Sequence, residues 1–225
     1  VQEQNEFLEN HLQQHNWEYT LVHTAEEFSK EHRLGGYTAY MILSERPQLH
    51  WHVQKEIREA VFSGKGLVVA GSYDKRNLWL EPALGIGILG RHPWATGLDV
   101  QNSELTPSWQ APLATDTAQG VWLQGATTLA EFSLVSDENT DSWKWLDSSH
   151  VMSNLLELKR KAITVHNYGL GKSVFFSFDL LYQAANNERD NNFEHLINQS
   201  LAYTQPENLS GIYRALLPIN IQWQN

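Results

Sequence analysis

Apolar and polar residues follow one another along the first seventy positions in an order that predicts helices and strands in turn. Residues 7–15 place their apolar side chains on one helical stripe, and residues 17–22 are typical of a short strand. Thr24 and Glu27 have the spacing of a capping box, so a second helix should begin there and end at Gly35.

The same order recurs in the next unit. Residues 37–43 form an apolar run typical of a buried strand, residues 50–63 carry apolar side chains at helical spacing, and residues 66–70, "GLVVA", predict another buried strand. Strands that alternate with helices at this spacing favour right-handed crossovers and a parallel sheet. The fold class predicted from the pattern is therefore α/β.

Residues 78–150 have a weaker pattern. The stretch "LEPALGI" predicts one helical turn or two, and residues 120–124 and 128–135 predict strands in a more open, antiparallel region. Beyond them, two β-rich runs flank the glycine-bearing turn at 168–172, which predicts a late β-hairpin. A last amphipathic helix should end before Pro206.

Composition excludes several classes of protein. The 225 residues include 16 Lys and Arg against 26 Asp and Glu, and the formal charge of −10 opposes binding to nucleic acid or anionic lipid. No apolar run approaches the roughly 18 residues that span a bilayer, so membrane insertion is not expected. The chain has no cysteine, which excludes disulfides, thiolate metal sites and a cysteine nucleophile. No cofactor or metal is predicted.

Two stretches together resemble the class I glutamine amidotransferase-like superfamily, which includes trehalose-utilisation-type domains and accessory domains of glycosidases. They are "GYTAYMILSE…VQKEIREAVFSGKGLVVAGSYD" and "AITVHNYGLGKSVFFSFDLL". The resemblance implies a three-layer sandwich with a mainly parallel, flavodoxin-like sheet, formed by residues 1–205. It also implies a first strand inside the sheet that this chain lacks before its first helix, and upstream residues are expected to fill that place.

The catalytic pair of the superfamily has no counterpart here. The resemblance aligns its cysteine elbow with residues 70–74, which contain no cysteine, and its histidine with Phe178, whose ring cannot accept a proton. A serine hydrolase elbow is a poor alternative, because Asp74 stands where such a turn has its second glycine. We therefore expect a chain without a catalytic site and without glutaminase activity.

The carboxyl edge of the predicted sheet supplies the candidate ligand-binding residues. Ligands of α/β proteins bind at this edge, and the polar side chains expected there follow two strands: Ser72, Tyr73, Asp74, Arg76, Asn77 and Asp179. For three of these residues, a role in stabilising the fold is favoured over a role in binding a ligand. Ser72 and Asp74 are preferred helix caps, and Arg76 would pair with a nearby acid.

Three other patterns are weaker. Residues 137–143 match the start of a calcium loop but lack its glycine and its glutamate, so a solvated acidic loop is favoured. His50 and His52 diverge on a helix, which argues against a metal pair. Four tryptophans of the irregular region would suit a sugar platform if exposed, but core packing is favoured for them: Trp94, Trp109, Trp143 and Trp145.

The sequence favours a binding or assembly module of a larger modular, exported bacterial protein, at the cell surface or in the periplasm rather than in the cytoplasm. Residues 206–225 read as a polar linker and the start of a following β element. The partners would be other domains of that protein and a small molecule or carbohydrate. Two alternatives stay open: a hydrolase acting on carbohydrate or a related small molecule at the carboxyl edge, and a carbohydrate-binding module that uses exposed tryptophan.

Overall fold

The computed structural model describes residues 2–43, 49–70, 78–91, 95–113, 118–134, 160–186, 192–206 and 214–218. The helices of these ranges are α1 (Gln2–Gln14), α2 (Ala25–Leu34), α3 (Trp51–Phe62), α4 (Glu81–Leu84), α5 (Leu180–Asn186) and α6 (Asn192–Thr204). The strands are β1 (Glu18–Val22), β2 (Ala39–Ile42), β3 (Gly66–Ala70), β4 (Ile86–Arg91), β5 (Ala95–Val100), β6 (Trp109–Pro112), β7 (Gln119–Leu123), β8 (Thr127–Leu134), β9 (Lys161–Tyr168), β10 (Gly171–Phe176) and β11 (Arg214–Pro218).

Nine of these strands form one sheet in the order β1-β11-β2-β3-β10-β9-β8-β5-β6. The first five are parallel to one another, and the last four continue the sheet in antiparallel pairing. A separate antiparallel ribbon consists of β4 and β7. The predicted α/β fold around a mainly parallel sheet is confirmed, and the antiparallel pairing expected for residues 128–135 is present in β8.

Side chains of the main sheet form a hydrophobic core on each of its faces. In β3, Val68 joins the core that includes residues of α1, α5 and α6, whereas Leu67 and Val69 join the core that includes residues of α2, α3 and α4. This alternation follows from the two-residue period of a strand. Because both faces of β3 are covered, all five of its residues are buried.

The second helix begins and ends where the sequence predicts. The Thr24 hydroxyl accepts a hydrogen bond from the Glu27 N–H at 3.1 Å, and the Glu27 carboxylate accepts one from the Thr24 N–H at 3.2 Å, which completes the capping box of α2. The helix then ends at Gly35, whose φ is +74°. Within the described ranges, no helix is both long and apolar enough to cross a membrane.

Strand β11 corrects the expectation about the place beside β2. The sequence analysis assigned residues 206–225 to a linker and a following β element and expected an upstream strand inside the sheet. Instead, Arg214–Pro218 lies parallel between β1 and β2 and pairs with both. A segment from late in the chain therefore lies beside β2, where the resemblance led us to expect an upstream strand. Residues 219–225 lie outside the described residues.

The late hairpin is confirmed, and its turn is close to α3. Strands β9 and β10 pair in antiparallel register around Gly169 and Leu170. Gly169 has φ +61°, and a Cβ at this position would lie 2.3 Å from the Phe62 carbonyl oxygen. Gly169 thus meets two demands, a left-handed backbone and close contact with the end of α3.

Part of the region from residue 78 to residue 134 differs from what the pattern indicated. The stretch "LEPALGI" forms a single helical turn, α4, because Gly85 takes φ +64° and ends it, and β4 follows directly at Ile86. Strands β4, β5 and β6 were not expected. The acidic loop at 137–143 lies outside the described residues.

Candidate functional site

The carboxyl edge of the parallel strands is the surface at which the sequence places the ligand-binding residues. At this edge β2 leads towards α3, β3 leads into residues 71–77, and β10 leads towards α5. Five of the six candidates, Ser72, Tyr73, Asp74, Arg76 and Asn77, fall in that segment after β3 and lie outside the described residues. The site is therefore built from the described residues around them.

Asp179, the sixth candidate, lies at the expected edge but has a structural partner. It follows β10, is 5% exposed, and its Oδ1 accepts a hydrogen bond from the Tyr182 N–H at 2.9 Å. The side chain thus caps the first turn of α5. At least one oxygen of this carboxylate is accordingly engaged by the fold.

Phe178 belongs to the core. Its side chain is fully buried, and its ring meets those of Phe132, Phe176 and Phe193 edge to face at centroid distances of 5.8 to 6.3 Å. A residue packed in this way contributes apolar surface and aromatic contacts. The position that the superfamily resemblance aligns with a histidine base therefore holds no group that can transfer a proton.

Two exposed tryptophans lie beside the segment that contains the candidates. Trp51 is the first residue of α3, and Trp79 comes shortly after residues 71–77. Trp51 is 36% exposed and Trp79 is 44% exposed. The ring centroids are 6.1 Å apart and the ring planes are inclined by 36°. We call this pair the Trp51–Trp79 surface.

A buried glutamine of α3 joins the Trp79 backbone to the helix that begins at Trp51. The side-chain oxygen of Gln54 accepts a hydrogen bond from the backbone N–H of Trp79 at 3.0 Å. Its side-chain nitrogen donates one to the Leu49 carbonyl at 2.6 Å. Gln54 is 4% exposed, so these bonds are shielded from water. The loop before α3 and the segment after β3 are thereby joined through one side chain.

Positive and titratable groups border the Trp51–Trp79 surface. The Arg58 guanidinium lies 5.4 Å from the centroid of the Trp79 ring, a cation–π distance. The His52 ring stacks on Trp51, and His50 Nδ1 accepts a hydrogen bond from the His52 N–H at 3.3 Å as the cap of α3. The first turn of α3 contains no acidic residue. The surface is thus aromatic with a positive border.

The first residue of β7 carries a buried amide near the segment that follows β10. The Gln119 N–H donates to the Ser177 carbonyl at 2.8 Å, which fixes the start of β7 beside the segment that follows β10. The Gln119 side chain is fully buried, and neither atom of its amide has a hydrogen-bond partner among the residues that the structure describes. Leaving such a group unpaired costs about 1–3 kcal/mol. Because Gln119 is 0% exposed, this amide belongs to the interior and not to the ligand-facing surface.

Sequence reasoning overlooked the Trp51–Trp79 surface because it searched the irregular region. Of the four tryptophans considered there, only Trp109 is described; it is half-buried and meets Phe193 edge to face at 5.2 Å, as core packing predicts. A signal for Trp51 was present in the sequence. Positions i+3 and i+4 from it are Gln54 and Lys55, so Trp51 lies off the apolar stripe of its own helix.

Metal binding finds no support at this edge. Among the residues that the structure describes, no group of three or more His, Cys, Asp or Glu side chains is placed to hold a metal ion. Two exposed aromatic rings beside an arginine are suited to holding an uncharged or anionic organic molecule by stacking and by hydrogen bonding to the guanidinium.

Comparison with known proteins identifies the fold. No family model matches the chain, and no curated protein matches it. Among solved structures, the N-terminal domain of mmIFT52 has a TM-score of 0.53 at 10% identity, over 80% of this chain and 82% of that one. A cytoplasmic protein from Salmonella typhimurium LT2 has a TM-score of 0.51 at 15% identity, over 84% of this chain and 78% of that one. At these identities the likeness concerns the fold alone.

Glycosidases are similar at a lower level. The β-galactosidase from Bacillus circulans sp. alkalophilus has a TM-score of 0.47 at 12% identity, over 76% of this chain and 23% of that one. The chain thus spans about a quarter of the length of such enzymes. These scores are too low to carry an argument about function.

Proposed function

We propose that the chain is a non-catalytic, carbohydrate-binding module of a larger protein, and that the Trp51–Trp79 surface holds the ligand. The observation that carries the proposal is the exposure of two neighbouring indole rings at the carboxyl edge of a parallel sheet. Ligands of α/β proteins bind at this edge. Indole rings offer a large apolar face and one polar N–H, which suits the C–H faces and hydroxyl groups of a sugar.

Preorganisation supports a binding role. Gln54 is buried, and its hydrogen bonds to the Trp79 backbone N–H and the Leu49 carbonyl fix the Trp79 backbone against the helix that begins at Trp51. Binding to a surface that is already ordered avoids about 0.5–1.5 kcal/mol for each side chain that would otherwise be immobilised.

The proposal that the chain is non-catalytic rests on its residue composition and on the packing of one residue. The sequence contains no cysteine, and Phe178 is packed among three aromatic rings. We propose a domain of amidotransferase-like type with a flavodoxin-like sheet in three layers, in which the catalytic pair has been replaced by structural residues. Other domains of the parent protein would be its partners, at the cell surface or in the periplasm. The parent protein would then supply any chemistry.

Binding to soluble polysaccharides tests the proposal. Barley β-glucan, xylan and galactomannan would be screened by affinity electrophoresis, followed by titration calorimetry for any that retard the chain. We expect Trp51→Ala and Trp79→Ala each to weaken binding by about tenfold, which corresponds to the roughly 1.4 kcal/mol of one stacked ring. Trp122→Ala is the matched control, because Trp122 is also 44% exposed but lies on the ribbon of β4 and β7.

Three results would contradict the proposal. If the chain binds none of the polysaccharides, carbohydrate is not its ligand. If Trp122→Ala weakens binding as much as Trp51→Ala does, the Trp51–Trp79 surface is not the binding site. Release of reducing sugar that Trp51→Ala abolishes would favour the hydrolase alternative instead. Glutamine should yield no ammonia above a buffer blank.

A further inference from the structure

The opposite edge of the sheet carries a groove that is separate from the Trp51–Trp79 surface. It lies where β9 ends and β10 begins, between the loop that follows β5 and the C-terminal turn of α6. Its cavity has a volume of about 580 Å³, and an adjoining cavity of about 440 Å³ shares Ser103, Glu104, Leu105 and Tyr203 with it. We call the two together the Tyr203 groove. Each has the volume of a small-molecule site.

His166 is held rigidly in the wall of the groove. Its ring lies between Gly85 and Gly125: a Cβ at Gly85 would be 2.5 Å from the His166 Cγ, and a Cβ at Gly125 would be 3.2 Å from its Cε1. Both glycines have positive φ. The two backbones thus approach the imidazole as only glycine permits. A Cβ at Gly85 would also lie 2.7 Å from the His166 Nδ1, so this nitrogen faces the glycine and the ring keeps one orientation in the groove wall.

Tyr203 supplies an aromatic face and a hydroxyl on the opposite wall. The Lys172 ammonium lies 5.4 Å from the centroid of the Tyr203 ring. Burial raises the pKa of the Tyr203 hydroxyl, and the nearby Glu104 raises it further, whereas Lys172 lowers it. The hydroxyl therefore stays protonated near neutral pH and can donate a hydrogen bond.

The other residues that line the Tyr203 groove form an apolar floor and a polar rim. Leu105, Leu129 and Val165 are apolar, while Glu104 and Asn167 are exposed and carry carboxylate and amide groups. Carboxylate oxygens only accept hydrogen bonds, whereas the amide both donates and accepts. The Glu104 carboxylate and the net charge of −10 oppose a phosphorylated ligand. Hydroxyl groups satisfy both kinds of partner without adding charge.

We propose that the Tyr203 groove binds a neutral polyhydroxylated molecule, with the chemistry of a short saccharide, between the fixed His166 imidazole and the Tyr203 ring. This inference adds a second site on the far edge of the sheet and does not rest on the Trp51–Trp79 surface. The two sites would give the module two contacts along one glycan chain or one contact to each of two chains.

NMR titration of the histidine side chains tests the groove directly. Methyl glycosides of glucose, galactose and mannose and the disaccharide cellobiose would be added to millimolar concentration, while the imidazole resonances of His166 are followed. We expect at least one of these sugars to shift them saturably. Asn167→Ala and Tyr203→Leu should each raise the dissociation constant by about fivefold, as expected for the loss of one hydrogen bond or one aromatic contact.

Trp51→Ala serves as the matched control, since it removes the other proposed site and should leave the His166 shifts unchanged. Asn167 is exposed at the end of β9, so Asn167→Ala keeps the test valid even where Tyr203→Leu unfolds the chain. The proposal is overturned by the absence of any saturable shift. It is equally overturned by shifts that Trp51→Ala abolishes while Asn167→Ala and Tyr203→Leu leave them intact, because these would place binding at the carboxyl edge.

Discussion

The parallel and antiparallel halves of the main sheet bury their strands in different ways. Every residue of β2 and β3 is buried, because helices cover both faces of the parallel half. In the antiparallel half, β5 contains both buried and exposed residues, and β6 has one buried residue among four. Strands covered on both sides give uninterrupted apolar runs, whereas strands covered on one side give mixed sequences.

Irregular pairing widens this difference. The register between β5 and β8 shifts between Ala95 and Gly97, and that between β8 and β9 shifts at Ala130. Such shifts break the two-residue alternation by which a half-buried strand is recognised. The comparison teaches that the strands of the parallel half were predictable mainly because helices cover both faces of the sheet there, and less because of the strand propensity of their residues.

The largest expected effect concerns β11, which completes the parallel half. Leu216 is fully buried between β1 and β2, so Leu216→Ala leaves a cavity and should lower the free energy of unfolding by about 2–5 kcal/mol. Leu170→Ala, at an 84% exposed turn position, should change it by less than about 0.5 kcal/mol. Urea unfolding followed by tryptophan fluorescence measures both.

Leu98 sharpens the comparison of the halves. It is as fully buried as Leu216 but belongs to β5 in the antiparallel half. If that half relaxes more readily around a cavity, Leu98→Ala should cost less than Leu216→Ala. A Leu216→Ala variant as stable as the parent chain would show that β11 is not a working part of the sheet.

The next effect concerns Gly169, at the turn that joins the two halves. Gly169→Val should destabilise the chain by about 3 kcal/mol, because it combines positive φ with a Cβ only 2.3 Å from the Phe62 carbonyl. Gly35→Val is the control: its φ is also positive, but nothing lies within 4 Å of its Cβ, so about 1–2 kcal/mol is expected. Thermal unfolding midpoints compare the two, and equal losses would mean that close contact with α3 does not matter.

Local signals explain how much of the fold could be predicted. The capping box at Thr24, the end of α2 at Gly35 and the hairpin at Gly169 each depend on a few neighbouring residues, and each is present as expected. The position of β11 depends on pairing with β1 and β2, which are almost two hundred residues earlier. A sequence pattern gives the existence of such a strand but not its neighbours.

The sequence directed attention to the carboxyl edge, but it did not indicate the two tryptophans that the structure exposes there. The rule that ligands meet the carboxyl edge of a parallel sheet directed attention to the segment after β3 and to Asp179. Trp51 and Trp79 reach that edge from two different segments, and they are brought together through Gln54. Contacts of this kind depend on tertiary packing, so the tryptophan count alone did not separate exposed from buried rings.

The smallest expected effect decides whether Asp179 serves the fold or a ligand. As a cap of α5, its carboxylate accepts a hydrogen bond from the Tyr182 N–H, and an asparagine can make the same bond. Asp179→Asn should therefore cost only a few tenths of a kcal/mol, whereas Asp179→Ala should cost about 1 kcal/mol. Chemical denaturation of both variants measures the difference.

A loss above about 2 kcal/mol for the asparagine variant would instead indicate that the charge itself is paired inside the protein. Normal stability together with lost polysaccharide binding would assign Asp179 to the ligand and extend the carboxyl-edge site from β3 to β10.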